Sequence, residues 1–189
     1  MKILIIGSGA IGGLIGARLV ERKADVTFLV RPERKVQLLT RGLILTSHYG
    51  RFRRPVHAIT FAELTGRFDL IEVTERAQDY EIVLKQIILA IGSETAVLSL
   101  LEGAAHLEPA LVPHGGRLIG GMIEARVIVD ADGVLHQHLV LCRIMPEACL
   151  RHDRQPPRLD MAIYPYLPKA TVAMTSARDY MGLLAGAGS

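Results

Sequence analysis

Tryptophan is absent from this 189-residue chain, aromatics of any kind make up 5% of it, and cysteine occurs twice, at Cys142 and Cys149. Two cysteines late in the chain, with no further ligand types at metal spacing, indicate neither a disulfide framework nor a zinc site; they read as ordinary buried thiols. No apolar run reaches membrane-crossing length. The start, Met1-Lys2-Ile3, already reads as a strand and leaves no room for a signal peptide, so a cytoplasmic protein without a membrane partner is expected. Charge of one sign is not in large excess: 22 Lys and Arg face 19 Asp and Glu, a net +3. The one basic run, Arg51-Phe52-Arg53-Arg54, falls in an expected hairpin. It reads as an edge strand protected by charge, and no nucleic-acid partner is expected. What the chain has in plenty is aliphatic carbon, with hydrophobic residues at 50% and a mean hydropathy of +0.30. An aliphatic core is implied, and enough apolar surface that a homodimer or higher homo-oligomer is expected.

The stretch that carries chemistry comes first. Strand Lys2-Ile3-Leu4-Ile5-Ile6 runs into Gly7-Ser8-Gly9-Ala10-Ile11-Gly12, a helical run follows, and a second apolar strand, Val26-Thr27-Phe28-Leu29-Val30, ends at Arg31. G-x-G-x-x-G between a strand and a helix, with a second strand at the right distance, is the context of a dinucleotide-binding βαβ unit. Gly7 permits the turn, Gly9 removes the side chain that would hold a pyrophosphate off the backbone, and Gly12 lets the helix lie close to the sheet. The phosphates then meet the positive end of the helix dipole and its unpaired N–H groups.

Arg31 decides the cofactor. An NAD site places Asp or Glu roughly 20 residues past the glycines to hold the ribose hydroxyls. An arginine there suits a 2′-phosphate, so NADP (NADPH) is expected. Arg34 and Lys35, one helical turn on, either add to the positive field or are solvated charges on a surface loop.

Further along, Pro32 opens a helix that Gly42 ends. Leu43–Ser47 reads as a strand whose hairpin mate is Phe52–Ile59, with Pro55 marking an edge. A short helix around Ala62–Thr65 leads to a parallel strand, Asp69–Thr74. A helix over 79–91 carries an apolar stripe of Tyr80, Val83, Leu84, Ile87, Ile88 and Ile91. A strand at Thr95–Leu101, a short helix over 104–111 and a strand at 117–119 follow. Ala125–Val129, a turn at Asp130-Ala131-Asp132-Gly133, and Val134–Leu141 form an antiparallel hairpin on that sheet. His136 and His138 share a face, but two ligands alone make no metal site, and solvated or hydrogen-bonded histidines are the simpler reading. Met145–Lys169 carries five prolines, which excludes long helices; only 176–184 looks helical. The fold class is therefore α/β, a Rossmann-like doubly wound and mostly parallel sheet with a C-terminal antiparallel hairpin. It comprises a dinucleotide-binding domain over 1–141 and an irregular Pro/Gly-rich extension over 142–189. The length is too short for the two full domains of an ordinary dehydrogenase.

The glycine loop and its flanks, Asp25-Val26-Thr27, Arg31, Gly42-Leu43, Asp69-Leu70-Ile71, Gly103 and Asp132-Gly133-Val134 together resemble the N-terminal domain of the ketopantoate reductase (2-dehydropantoate 2-reductase) family, over roughly residues 1–140. The resemblance implies an NADPH-dependent reductase of ketopantoate or another 2-keto acid, in pantothenate biosynthesis. Gly7, Ser8, Gly9, Ala10, Ile11, Gly12, Arg31, Thr74 and Gly103 are the cofactor-binding residues it implies. Where the family has a lysine near the nicotinamide and substrate, Val73-Thr74-Glu75-Arg76-Ala77 carries Arg76. A guanidinium still holds a carboxylate but is a poor proton donor. Where the family has Asn-Gly, this chain has Glu102-Gly103, which puts a carboxylate beside phosphates and a keto acid. Arg76 and Glu102 are the candidate catalytic positions. With Glu75 and Glu124 they are expected near one crevice, an ion pair of Arg76 with Glu102 or Glu75 compensating the charge. Glu72, inside an apolar strand, is costly when ionised unless paired. The family's helical second domain finds no match here. The alternative is therefore a catalytically inactive or truncated NADP-binding or interaction protein.

Overall fold

A computed structural model describes residues 1–74, 80–100, 117–138 and 143–146, with 80–81, 117–122, 124 and 143–146 described through their backbone. The elements run β1 (Lys2–Ile6), α1 (Ala10–Glu21), β2 (Asp25–Leu29), α2 (Pro32–Arg41), β3 (Leu43–Ser47), β4 (Gly50–Arg54), β5 (His57–Ile59), β6 (Leu70–Val73), α3 (Tyr80–Ile87), β7 (Ala96–Ser99), β8 (Arg117–Glu124), β9 (Val127–Val129), β10 (Leu135–Gln137) and β11 (Arg143–Pro146). They build two sheets. The larger has the order β11-β8-β7-β6-β1-β2-β5 and the smaller β4-β3-β10-β9. In the large sheet β5, β2, β1, β6, β7 and β8 are parallel and β11 joins antiparallel to β8. The chain order reverses between β1 and β6, and a doubly wound sheet opens its ligand crevice where the order reverses.

Helix α1 lies between the two sheets, which explains why it is apolar nearly all round: Gly12 to Leu19 are all buried. On one side it meets Ile3, Ile5 and Phe28 of the large sheet, and on the other Leu45 and Leu135 of the small one, in one continuous core. Arg18 adds a polar tie, donating to Glu21, Ser47 and Gln137 and lying over the Tyr49 ring. The opposite face of the large sheet packs Leu4, Ile6, Ile71 and Val73 against Val83, Leu84 and Ile87 of α3. Among the described residues no helix is long and apolar enough to cross a membrane.

Several expectations need correction. Phe52–Ile59 is not one hairpin mate of β3. It divides at Pro55, whose missing N–H ends the ladder. β4 pairs with β3, while β5 crosses to the large sheet and lies parallel to β2. The hairpin β9–β10 does not sit on the large sheet either; β10 pairs parallel with β3 in the small one, through Leu135↔Leu45 and His136↔Thr46. The short helix around Ala62–Thr65 is a 3-10 turn at Phe61–Glu63, closed by a capping box between Thr60 and Glu63. Helix α3 is described from Tyr80 to Ile87 and passes into a 3-10 turn at Ile88–Ala90. β11 adds a strand in the stretch expected to be irregular. The helices expected over 104–111 and 176–184, and both cysteines, lie outside the described residues.

Among the residues with described side chains, Glu72 is the charged-type residue in the centre of the large sheet. It is 1% exposed, its register neighbours are Ile5 and Leu98, and its Oε1 has no hydrogen-bond partner. Burial pushes its carboxyl up to about 8, so it stays neutral at pH 7 and avoids the cost of a buried ion. Between the unfolded value near 4.5 and the folded value near 8 the folded chain holds a proton that the unfolded chain has lost. Stability therefore falls as pH rises through that window, by about 1.4 kcal/mol per unit from this group. Chemical denaturation of the wild type at pH 5, 6, 7 and 8 is expected to show this slope, and Glu72→Gln to lack it; equal slopes in the two proteins contradict the assignment.

Candidate functional site

The glycine loop leaves β1 at its C-terminal end, beside the reversal point. Gly7 has φ +87° and donates its N–H to Leu29 O at 2.9 Å. Gly12 sits where the helix approaches the end of β1 closely. A Cβ there falls 2.6 Å from Gly7 O, 2.8 Å from Thr74 Oγ1 and 3.1 Å from Ile5 Cγ2. Thr74 donates its hydroxyl to Ile6 O at 2.8 Å, so it closes the end of β1 and fills the space left by Gly12. Gly9 differs, with nothing within 4 Å of an added Cβ. Its bare backbone faces open space at the start of α1, where no side chain caps the helix. Free N–H groups and the positive end of the dipole are left for an anion.

A cleft of about 380 Å³ opens there, with Gly7, Ser8 and Gly9 on one wall. The second wall comes from the end of β2 and the start of α2, through Val30, Arg31, Arg34 and Gln37. The third comes from the small sheet, through Val129, Asp130, Ala131 and Gly133 of the β9–β10 turn. Arg31 is exposed on the rim as the N-cap of α2, with Pro32 following it. No acid stands at the end of β2, and the charge at that position is positive. Bare backbone at Gly9, an uncapped helix start and a rim guanidinium fit a phosphate-bearing dinucleotide. Asp130 is the cleft's acid among the described residues. Its Oδ2 meets His136 Nε2 at 2.9 Å and its Oδ1 accepts from Val134 N at 2.9 Å, and the hydrogen bond from His136, then that from Val134, hold its carboxyl below the usual range.

The two basic residues after Arg31 part company. Lys35 points to Glu63, and their ion pair, with the Thr60 hydrogen bonds, pulls the Glu63 carboxyl down to about 2. Lys35 thus spends its charge at a surface turn. Arg34 is not a solvated surface charge. It is half-buried, burial lowers its pKa, and it donates to Ser8 Oγ at 2.8 Å, Ser8 O at 3.2 Å, Gly133 O at 3.1 Å and Gln37 Oε1 at 3.0 Å. Only its spacing from Arg31 hinted at a role; Gln37 carried no signal, and Asp130 only that of a turn residue.

Of the other sequence candidates, Glu75, Arg76, Glu102 and Gly103 lie outside the described residues, so the ion pair expected of Arg76 does too. Glu124 is the last residue of β8. His136 faces Asp130, and the described residues hold no cluster of three or more metal-ligating side chains.

Residues 3–140 match the family model described as ketopantoate reductase PanE/ApbA. The Bacillus subtilis (strain 168) oxidoreductase YkpB, itself uncharacterized, is 33% identical over 137 residues, covering 72% of this chain and 45% of its own. The 2-dehydropantoate 2-reductase of Pyrococcus horikoshii is 31% identical over 136 residues, 71% of this chain and 44% of its own. The chain therefore spans less than half the length of these relatives. Among solved structures, the 2-dehydropantoate 2-reductase of Geobacter metallireducens GS-15 superposes with a TM-score of 0.76 at 26% identity, over 93% of this chain and 58% of that one. D-mandelate dehydrogenase, solved with NADH and anilino(oxo)acetate, shares the fold with a TM-score of 0.74 at 19% identity, over 93% and 57%.

The packing at α1 sets apart two neighbouring glycines. An alanine at Gly12 meets backbone, whereas one at Gly13 meets the Leu135 methyls at 2.5 and 3.2 Å and Ser8 O at 3.1 Å. Thermal denaturation is expected to show Gly12→Ala destabilised by about 1–3 kcal/mol from overpacking. Gly13→Ala is expected to lose less than Gly12→Ala, because its closest clash is with the end of a side chain, Leu135, and alanine's helix propensity offsets about 1 kcal/mol. Equal losses, or the reverse order, contradict this packing.

Proposed function

Because the chain belongs to the ketopantoate reductase PanE/ApbA family, we propose that it binds NADPH in the cleft between the glycine loop, α2 and the β9–β10 turn, and that it serves the reduction of a 2-keto acid such as ketopantoate. The observation that carries this reading is the end of β2, where an exposed arginine stands beside bare Gly9 backbone in place of a ribose-binding acid. Gly7, Ser8 and Gly9, with the backbone of Ala10, Ile11 and Gly12, hold the pyrophosphate, and Arg31 takes the 2′-phosphate as a charge-assisted, two-pronged donor. Thr74 acts by seating Gly12, and Gly103 by letting backbone approach the nicotinamide end. Bound NADPH supplies a hydride, which with one proton converts a keto carbonyl to a hydroxyl. Arg76 holds the substrate carboxylate through its planar fork, and the proton comes from another group, since a guanidinium does not release one at neutral pH. The protein works in the cytoplasm as a homo-oligomer, as its aliphatic composition supports.

A second reading has its own support. Arg76 and Glu102 replace the lysine and asparagine that the family resemblance leads one to expect, which favours a protein that binds NADP without turnover. Both readings share the cleft and part at the chemistry.

Titration of the full chain with NADPH and NADH, followed by cofactor fluorescence, tests the shared part. NADPH is expected to bind tenfold or more tightly than NADH, and Arg31→Ala to weaken NADPH by roughly 10- to 100-fold, the range for losing charged hydrogen bonds, with NADH little changed. Adding ketopantoate or another 2-keto acid then separates the readings. Consumption of NADPH supports the reductase, and saturable binding without consumption supports the binding protein. Failure of both nucleotides to bind at millimolar concentration overturns the two together.

A further inference from the structure

The β9–β10 turn is encoded about 120 residues after the glycine loop yet forms one wall of the same cleft. A single side chain joins them. Arg34 Nε donates to Ser8 Oγ at 2.8 Å, and its Nη2 donates both to Ser8 O at 3.2 Å and to Gly133 O at 3.1 Å. Gln37, on the next turn of α2, holds Nη1 at 3.0 Å. Four of the guanidinium's five N–H groups are thus taken by protein, and Ser8 below it is 4% exposed. Among the described residues Arg31 has no such tether, and it sits exposed on the rim.

Gly133 is shaped to this contact. Its φ is +77°, a conformation costly for other residues, and a Cβ there lies 1.9 Å from Arg34 Nη1 and 3.1 Å from Arg34 Cζ. Asp130 O accepts the Gly133 N–H at 3.0 Å, and Arg41 Nη1 meets Asp132 Oδ1 at 2.7 Å, so α2 grips the turn at two places.

We propose that Arg34 is a positioning residue for the cofactor: with Gly133 as its receiving carbonyl, it fixes the Ser8–Gly9 backbone and sets the distance between the glycine loop and the small-sheet wall. This rests on the cleft's binding a dinucleotide, as proposed above. Division of labour between two arginines follows. Arg31 discriminates the 2′-phosphate, whereas Arg34 acts on the pyrophosphate loop common to both nucleotides. Losing Arg34 therefore weakens NADPH and NADH alike, and losing the Gly133 contact does the same through the same clamp.

The test measures Kd for NADPH and NADH on the full-length wild type, Arg34→Ala, Gly133→Ala and the double variant, with amide hydrogen exchange over residues 7–12 in the free proteins. Each single change is expected to raise both constants about tenfold or more, in proportion to charged hydrogen bonds lost. Their ratio stays within about twofold of wild type, and the double variant is no worse than the weaker single, because contacting residues do not add. Exchange at Ser8 and Gly9 accelerates in all three variants. If Arg34→Ala does not fold, Arg34→Lys keeps the charge without the fork, and the same parallel loss is expected of it. The proposal is overturned by a loss confined to NADPH, which makes Arg34 a second phosphate reader. It is also overturned by unchanged affinities with a lowered melting temperature, which makes it a fold staple, or by additive losses. Wild type that binds neither nucleotide instead overturns the dinucleotide reading beneath it.

Discussion

The part of the described fold that builds the cleft depends on the fit of α1 between two sheets. The helix can approach β1 because position 12 carries no side chain, and it can receive Leu135 from the small sheet because position 13 carries none. Further along, a Cβ on Gly16 falls 2.2 Å from the Phe28 ring. A helix this close to β1 brings its first turn to the strand's end, where its free N–H groups suit the anion that the proposed function puts there. In the proposed reading, close packing and phosphate binding become one requirement, since the residues that remove Cβ atoms from the interface begin with those that bare the loop.

The small sheet is the less usual part. It recruits β3 and β4 from the region after α2, then β9 and β10 from much later in the chain, and covers the face of α1 that the large sheet leaves open. Covering α1 gives the core Leu43, Leu45, Phe52 and Leu135, all buried, each contributing about 1.5–3 kcal/mol of apolar burial. The same attachment brings the β9–β10 turn to the mouth of the cleft. A structural device for burying a helix thereby becomes a wall of the binding site, and Arg34 is the point at which the two uses meet.

What the sequence makes legible is whatever is encoded locally. The glycine loop, the strands flanking it and Arg31 are consecutive, and their spacing carries both conformation and chemistry. The Asp130–Gly133 turn is legible for the same reason. What joins distant segments is not legible: the parallel pairing of β3 with β10, the passage of β5 from one sheet to the other at Pro55, and the reach of Arg34 to a carbonyl 99 positions away. An arginine three residues into a helix looks solvated until the fold supplies Ser8 and Gly133 as partners. Glu72 was legible as an anomaly, because a carboxyl among Leu, Ile and Val in a central strand is costly when ionised. Its resolution as a neutral, buried acid depends on neighbours that only the assembled sheet provides. For Arg76 and Glu102 the sequence pattern alone speaks, through the charge each introduces.

The claim at the centre is that one cleft, built from the glycine loop on one side and the late β9–β10 turn on the other, receives the dinucleotide. Hydrogen exchange of the full chain with and without saturating NADPH measures this segment by segment. Slowed exchange is expected in two places at once, residues 7–13 and residues 129–134, with the outer surface of α3 unchanged. Protection confined to the first segment, or absent from both, contradicts it.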